Sequence, residues 1–234
     1  MKILAVDTAT KSCSVAIVDK ESIIAEMTVV NEETHSKHLL GMVNLVMKYA
    51  DLNLADLDGF AVTSGPGSFT GLRIGISSVK GFAAALGKPM VGVSSLNALA
   101  RQVSFSPYLI CSLIDARKNE VYLSKYRYED LNLEKEGNEQ VVSPKDALDK
   151  INEPCIFVGS GAILYRKMII EKLNEDAFFT QNHENTIRAS TVARLSMVKF
   201  ENENTDNVET FVPHYIRKSD AQLKLQEKTL KPLL

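Results

Sequence analysis

Two stretches of this chain carry chemically capable residues at close spacing. Asp7-Thr8-Ala9-Thr10-Lys11-Ser12 sets an acid just before three hydroxyl side chains. A carboxylate at a strand end can ligate Mg²⁺, and hydroxyls can hydrogen-bond phosphate. The same residues can equally close a turn through local side-chain bonds. The second stretch is Ser64-Gly65-Pro66-Gly67-Ser68-Phe69-Thr70-Gly71-Leu72-Arg73-Ile74-Gly75. A glycine turn that opens a helix can cradle an anion, because the first helical N–H groups lack partners. It can also be a tight bend that docks a helix close to a sheet. Asp7, Thr8, Thr10, Ser12, Gly65 and Gly67 are therefore the candidate residues of a remnant phosphate site.

The glycine run fails the specific nucleotide fingerprints. A P-loop needs a lysine after its last glycine, but Leu72 and Arg73 follow Gly71. A dinucleotide fold needs GxGxxG, whereas Gly65, Gly67 and Gly71 read GxGxxxG. His35 and His38 are three apart near a helix start, with Glu32 and Glu33 close by. Two histidines without a third ligand do not make a metal site, so a polar cluster is the favoured reading and no metal is expected. Cys13, Cys111 and Cys155 are odd in number, lack a CxxC pair and fall in apolar strand-like segments. They read as reduced and structural. No nucleophile–histidine arrangement follows from the sequence, which leaves a hydrolase with little support.

The elements that must position these residues follow from periodicity. Apolar stretches at 2–7, 13–19, 22–30, 58–63 and 90–93 read as strands, and 36–50 and 70–86 as helices. A further helix runs to about 103. A second block repeats the alternation: strands at 109–115, 120–128 and 155–159, helices from 143, at 162–173 and 190–201, and a polar loop at 129–138. A helix-compatible tail follows at 219–230. Alternating strands and helices argue for an α/β protein with two halves, 1–103 and 104–234. With 234 residues, 45% of them hydrophobic, each half can bury a core. No apolar run reaches the roughly 18–20 residues of a membrane span, and the N-terminus reads as a first strand of a cytoplasmic protein. A net charge of −2 argues against unaided nucleic-acid binding, although basic residues gather from Arg217 to Lys231.

Two helices carry more than a core needs. On 36–50 the apolar residues span roughly 220° of arc, against the ~100° or more that a core-facing stripe requires. On 70–86, Gly71, Gly75, Ser78, Gly81 and Ala85 recur at three- and four-residue steps. Such a small-residue face admits a close neighbour, either the helix's own sheet or another subunit. Leu39, Met42, Val43, Val46, Gly71, Gly75 and Ser78 are the expected contact residues.

Taken together, these motifs resemble the TsaB (YeaZ) family. The resemblance rests on Asp7-Thr-Ala-Thr10, the glycine run 64–75, Gly92-Val-Ser-Ser-Leu-Asn-Ala-Leu99, Asp115-Ala-Arg-Lys-Asn-Glu-Val-Tyr122 and Pro213-His-Tyr-Ile-Arg217. It implies an α/β fold of the actin, sugar-kinase and Hsp70-ATPase type (ASKHA) with two related α/β halves. It further implies a non-catalytic subunit in making threonylcarbamoyladenosine in tRNA. The catalytic partner would be the paralogue TsaD, with the ATPase TsaE joining them and tRNA reached indirectly. TsaD-type proteins carry an HxxxH metal pair after the glycine motif, where this chain has Ser95 and Leu99. Leucine cannot ligate a metal, so the metal-dependent transfer is not expected here. No cofactor is required on this reading, though ATP or ADP at the subunit interface, and a homodimer of the isolated chain, are compatible with it. The runner-up is an independent ATP-binding ATPase or phosphotransferase of the same fold, with Asp115 as a second acid.

Overall fold

The structure, a computed structural model, describes residues 1–31 and 34–217. The expected tail helix and Glu32 and Glu33 lie outside these residues. The first sheet holds β1 (Ile3–Asp7), β2 (Ser12–Val18), β3 (Ile23–Val30), β4 (Gly59–Gly65) and β5 (Met90–Ser94), in the order β3-β2-β1-β4-β5. The second holds β6 (Leu109–Arg117), β7 (Glu120–Glu129), β8 (Asn132–Val142), β9 (Cys155–Val158) and β10 (Ala177–Phe179), in the order β10-β9-β6-β7-β8. Counted from its own first strand, each sheet runs third, second, first, fourth, fifth. In both, the first three strands pair antiparallel and the last two join in parallel. One topology occurs twice.

Helices fill the crossovers. α1 (Leu39–Tyr49) joins β3 to β4, and α2 (Phe69–Leu86) joins β4 to β5. α3 (Ser95–Gln102) leads into the second half. There α4 (Pro144–Leu148), then α5 (Ser160–Leu164) with α6 (Arg166–Leu173), take the equivalent crossovers, and α7 (Ala189–Glu201) ends the fold. α1 packs on β2 and β3, α2 on β4 and β1, and α7 on β1, β2 and β4. Helices thus bury every residue of β1 and β2, which explains why apolar residues fill Ile3–Val6 and Val15–Val18 without alternation.

Along the chain α3 separates the strands of the two sheets, but elements of the later part return to the first sheet. α7 and the segment after it return to the first sheet: Asp206 pairs with Met90, and Lys199 Nζ donates to the Gly92 carbonyl, 3.1 Å away. Two strands went unread in the sequence. β8 occupies the supposed loop at 129–138; as an edge strand it has water on one side and is polar enough to pass for a loop. β10 has three residues, too few for a period. The helix expected over 162–173 breaks at Tyr165 into two.

Candidate functional site: a closed glycine turn

α2 begins where Ser68 caps it, its Oγ accepting from Gly71 N at 3.2 Å, and ends at Gly87 in the left-handed region, φ 61°. Its first turns lie against the loop that follows β1. A Cβ on Gly67 would stand 2.3 Å from the Ala9 carbonyl oxygen, on Gly71 2.0 Å from that of Thr8, and on Gly75 2.3 Å from Thr8 Oγ1. Gly67 and Gly71 are there because backbone meets backbone, and Gly75 because the Thr8 side chain fills the space. Ser68 N donates to Ala9 O at 2.8 Å and Thr8 Oγ1 to Gly71 O at 2.8 Å, which ties loop to helix.

Asp7 ends β1, fully buried. Its Oδ1 accepts from Thr63 Oγ1 at 2.8 Å and Ala9 N at 3.1 Å, while Oδ2 has no partner. Burial outweighs those two hydrogen bonds and pushes the carboxyl up to about 7. Thr10 and Ser12 share a hydrogen bond at 2.9 Å. The hydroxyls of Thr8, Thr10, Ser12 and Ser68 all have hydrogen-bond partners within the chain, Ser68 at an exposed position.

A strap over residues 211–217 runs along the turn. His214 N donates to Ser64 O at 2.7 Å, and a Cβ on Gly65 (φ 119°) would meet His214 O at 2.7 Å. Tyr215 stacks on Phe69 at 4.6 Å, and its hydroxyl accepts from Arg73 Nε at 3.0 Å. Arg217 then reaches the second half, donating to Ala116 O at 2.8 Å and Glu120 Oε2 at 2.9 Å. The Pro213–Arg217 motif is this strap. Asp115 accepts from Arg117 N at 2.8 Å and closes a turn. Around the turn the acid is enclosed, the hydroxyls are hydrogen-bonded and the strap lies alongside.

The expected contact residues need a correction of face. Leu39, Met42, Val43 and Val46 are buried in the chain's own core, and Gly71 and Gly75 are buried against Thr8. Of the seven, Ser78 alone is partly exposed, its Oγ donating to Ile74 O at 2.9 Å. The sequence gives the width of the apolar arc but not its phase. The outer face of α1 carries Leu40, Gly41, Leu45 and Tyr49, all exposed. Nothing lies within 4 Å of a Cβ built on Gly41 or Gly81. A groove of about 420 Å³ between α1 and α2 is lined by Leu40, Asn44, Met47, Leu52 and Phe82 among others. Ser95 and Leu99, at the metal-pair positions, are buried in α3. One grouping escaped sequence reasoning: Cys13 lies beside His35 and His38. The antiparallel pairing of β2 with β3 folds the chain back there, a proximity that no motif spacing encodes.

The duplicated sheet order and crossovers define an ASKHA-type protein, the fold of actin, sugar kinases and the Hsp70 ATPase. A family model described as TsaD, tRNA N6-adenosine threonylcarbamoyltransferase, matches residues 23–225. The tRNA threonylcarbamoyladenosine biosynthesis protein TsaB of Bacillus subtilis is 33% identical over 96% of this chain and 97% of its own. The protein of the same description from Haemophilus influenzae is 30% identical over 96% and 97%. The crystal structure of YeaZ from Pseudomonas aeruginosa superposes with a TM-score of 0.75 at 27% identity, over 92% of this chain and 99% of that one. The chain belongs to the TsaB family. No helix among the described residues is long and apolar enough to cross a membrane.

Proposed function

We propose that this chain is a non-catalytic subunit in the formation of threonylcarbamoyladenosine in tRNA, acting by docking on the paralogue TsaD and holding it in a competent state. The observation that carries this reading is the pair Ser95 and Leu99. Both lie buried in α3, where a TsaD-type protein would present its metal-binding histidines. A chain without those ligands contributes by binding. The outer face of α1, with Leu40 and Tyr49 at 59% and 79% exposure, is the apolar surface for it.

Reconstitution tests the proposal. With TsaD, TsaE, ATP, the threonylcarbamoyl adenylate and tRNA present, leaving out this chain should abolish modification, and the chain should co-elute with TsaD. Undiminished modification without it would sink the reading. One observation favours the ATPase alternative: Asp7 Oδ2 is buried without a partner. Calorimetry of the isolated chain with Mg-ATP separates the two, since tight binding with turnover would reverse the ranking.

A further inference from the structure

We propose that Cys13, His35 and His38 form a binding site for a single Zn²⁺ ion. One donor atom from each, a thiol sulfur and two imidazole nitrogens, lies within 4.8 Å of the others. The chain has only four histidines and three cysteines, and two of the former meet one of the latter here. Cys13 and His35 are buried and His38 is half-buried, so the cluster reaches the surface at one side. Tetrahedral zinc, here with water as its fourth ligand, has Zn–S about 2.3 Å and Zn–N about 2.0–2.1 Å and holds its ligand atoms roughly 3.3–3.6 Å apart. Closing this set on an ion therefore takes small side-chain adjustments and leaves the backbone in place.

The hydrogen bonding around the histidines is that of ligands. His35 Nε2 lies 2.8 Å from the Thr10 carbonyl oxygen, which can only accept, so Nε2 carries the proton. His35 Nδ1 is then a bare lone pair, buried without a partner. A carbonyl that fixes the tautomer and aims the ring is the usual outer-shell partner of a metal-bound histidine. His38 leaves both ring nitrogens buried and unpartnered. An apolar packing role would not set an unpartnered nitrogen of each histidine beside a thiol, because buried polar atoms without partners are costly. Thiolate and imidazole together select a borderline-soft ion over Mg²⁺ or Ca²⁺. In the metal-free chain, burial and nearby Asp7 push the thiol up to about 12. A bound cation reverses that preference and expels the proton.

The ion would tie three elements together: β2 through Cys13, the β1–β2 loop through Thr10, and the entry to α1 through both histidines. It would fix the start of α1 without itself touching substrate. The site does not depend on the proposed docking function.

The test uses metal-stripped full-length chain, Zn²⁺ in competition with a chromophoric chelator, and Co²⁺ as an optical probe. We expect one equivalent of Zn²⁺, tetrahedral Co²⁺ bands and a sulfur-to-cobalt charge-transfer band. Cys13→Ser should remove the charge-transfer band. His38→Gln, at the half-buried member of the set, should weaken Zn²⁺ by more than the roughly 10–100-fold that losing an outer-shell partner costs. His183→Gln with His214→Gln should change nothing. A wild-type Co²⁺ complex without the charge-transfer band, or unchanged Zn²⁺ affinity in His38→Gln, would overturn the site. If Cys13→Ser fails to fold by circular dichroism, the His38→Gln titration decides alone.

Discussion

Thr8 Oγ1 donates a hydrogen bond to the carbonyl of Gly71, 2.8 Å away, and the backbone of Gly71 approaches Thr8 so closely that no side chain fits between them. This contact makes the glycine run a docking device. A methyl on Gly71 would sit 2.0 Å from the Thr8 carbonyl oxygen, and backbone cannot move aside as a flexible side chain can. Gly71→Ala should cost at least the ~1–3 kcal/mol typical of core overpacking. Gly81→Ala, in open space on the same helix, should be stabilising by a few tenths to about 1 kcal/mol. Urea unfolding of the two variants checks the contrast; equal effects would mean that the helix does not dock on the loop.

Asp7 sets a pH dependence of stability. Burial holds its carboxyl near 7, against an ordinary 3.8. Between those values the folded chain keeps a proton that the unfolded chain has released. Stability should therefore fall as pH rises through that window and level off above about 7. Each pH unit is worth up to 1.36 kcal/mol, so the whole effect is on the order of 2–4 kcal/mol. Asp7→Asn keeps an acceptor for Thr63 and Ala9 and removes the ionisation, so its stability should be flat over this range. Chemical denaturation from pH 4 to 8 measures both; parallel profiles would refute the assignment.

The strap should stabilise the first half. Phe211 lies against β5, where a Cβ on Gly92 would touch its ring at 2.4 Å, and Lys80 Nζ donates to the Phe211 carbonyl at 3.0 Å. Phe211→Ala should lose roughly 1–3 kcal/mol, below the 3–5 kcal/mol of a fully buried phenylalanine because this ring is half-buried. Thermal melts check the loss, and protection of the Ser64, Gly65 and Gly67 amides from exchange should fall with it.

The central strands, the two long helices of the first half and the glycine bend were legible because each writes a strong local period or a cap. Ser68 and Gly87 bound α2 as their residue types suggest. β8 was not legible, because an edge strand that carries Glu134, Lys135, Glu136 and Asn138 satisfies solvent before it satisfies a pattern. Phase was the other loss. Leu39 and Leu40 are chemically alike, but one is 1% exposed and the other 59%, and only the sheet beneath decides which. The enclosed acid was legible as a residue and not as an environment: nothing local says that Thr63 will donate to Asp7 from 56 positions away.

That phase now separates folding from docking on α1. Met42 is 3% exposed within the core, so Met42→Asp buries an unpaired charge and should unfold the first half. Leu40 and Tyr49 face outward, and surface substitutions away from special features usually stay within about ±0.5 kcal/mol. A Leu40→Ser, Tyr49→Ser double variant should therefore melt within a few degrees of the parent. If the outer face of α1 is the docking surface, the same variant should lose co-elution with TsaD, because truncating a central aromatic anchor typically costs ~2 kcal/mol or more of binding. It should also lower modification in the reconstituted system, with recovery at higher concentration of the variant. Retained co-elution and modification at normal stability would move the interface off this helix. A parallel loss of melting temperature would mean that these side chains serve the fold instead.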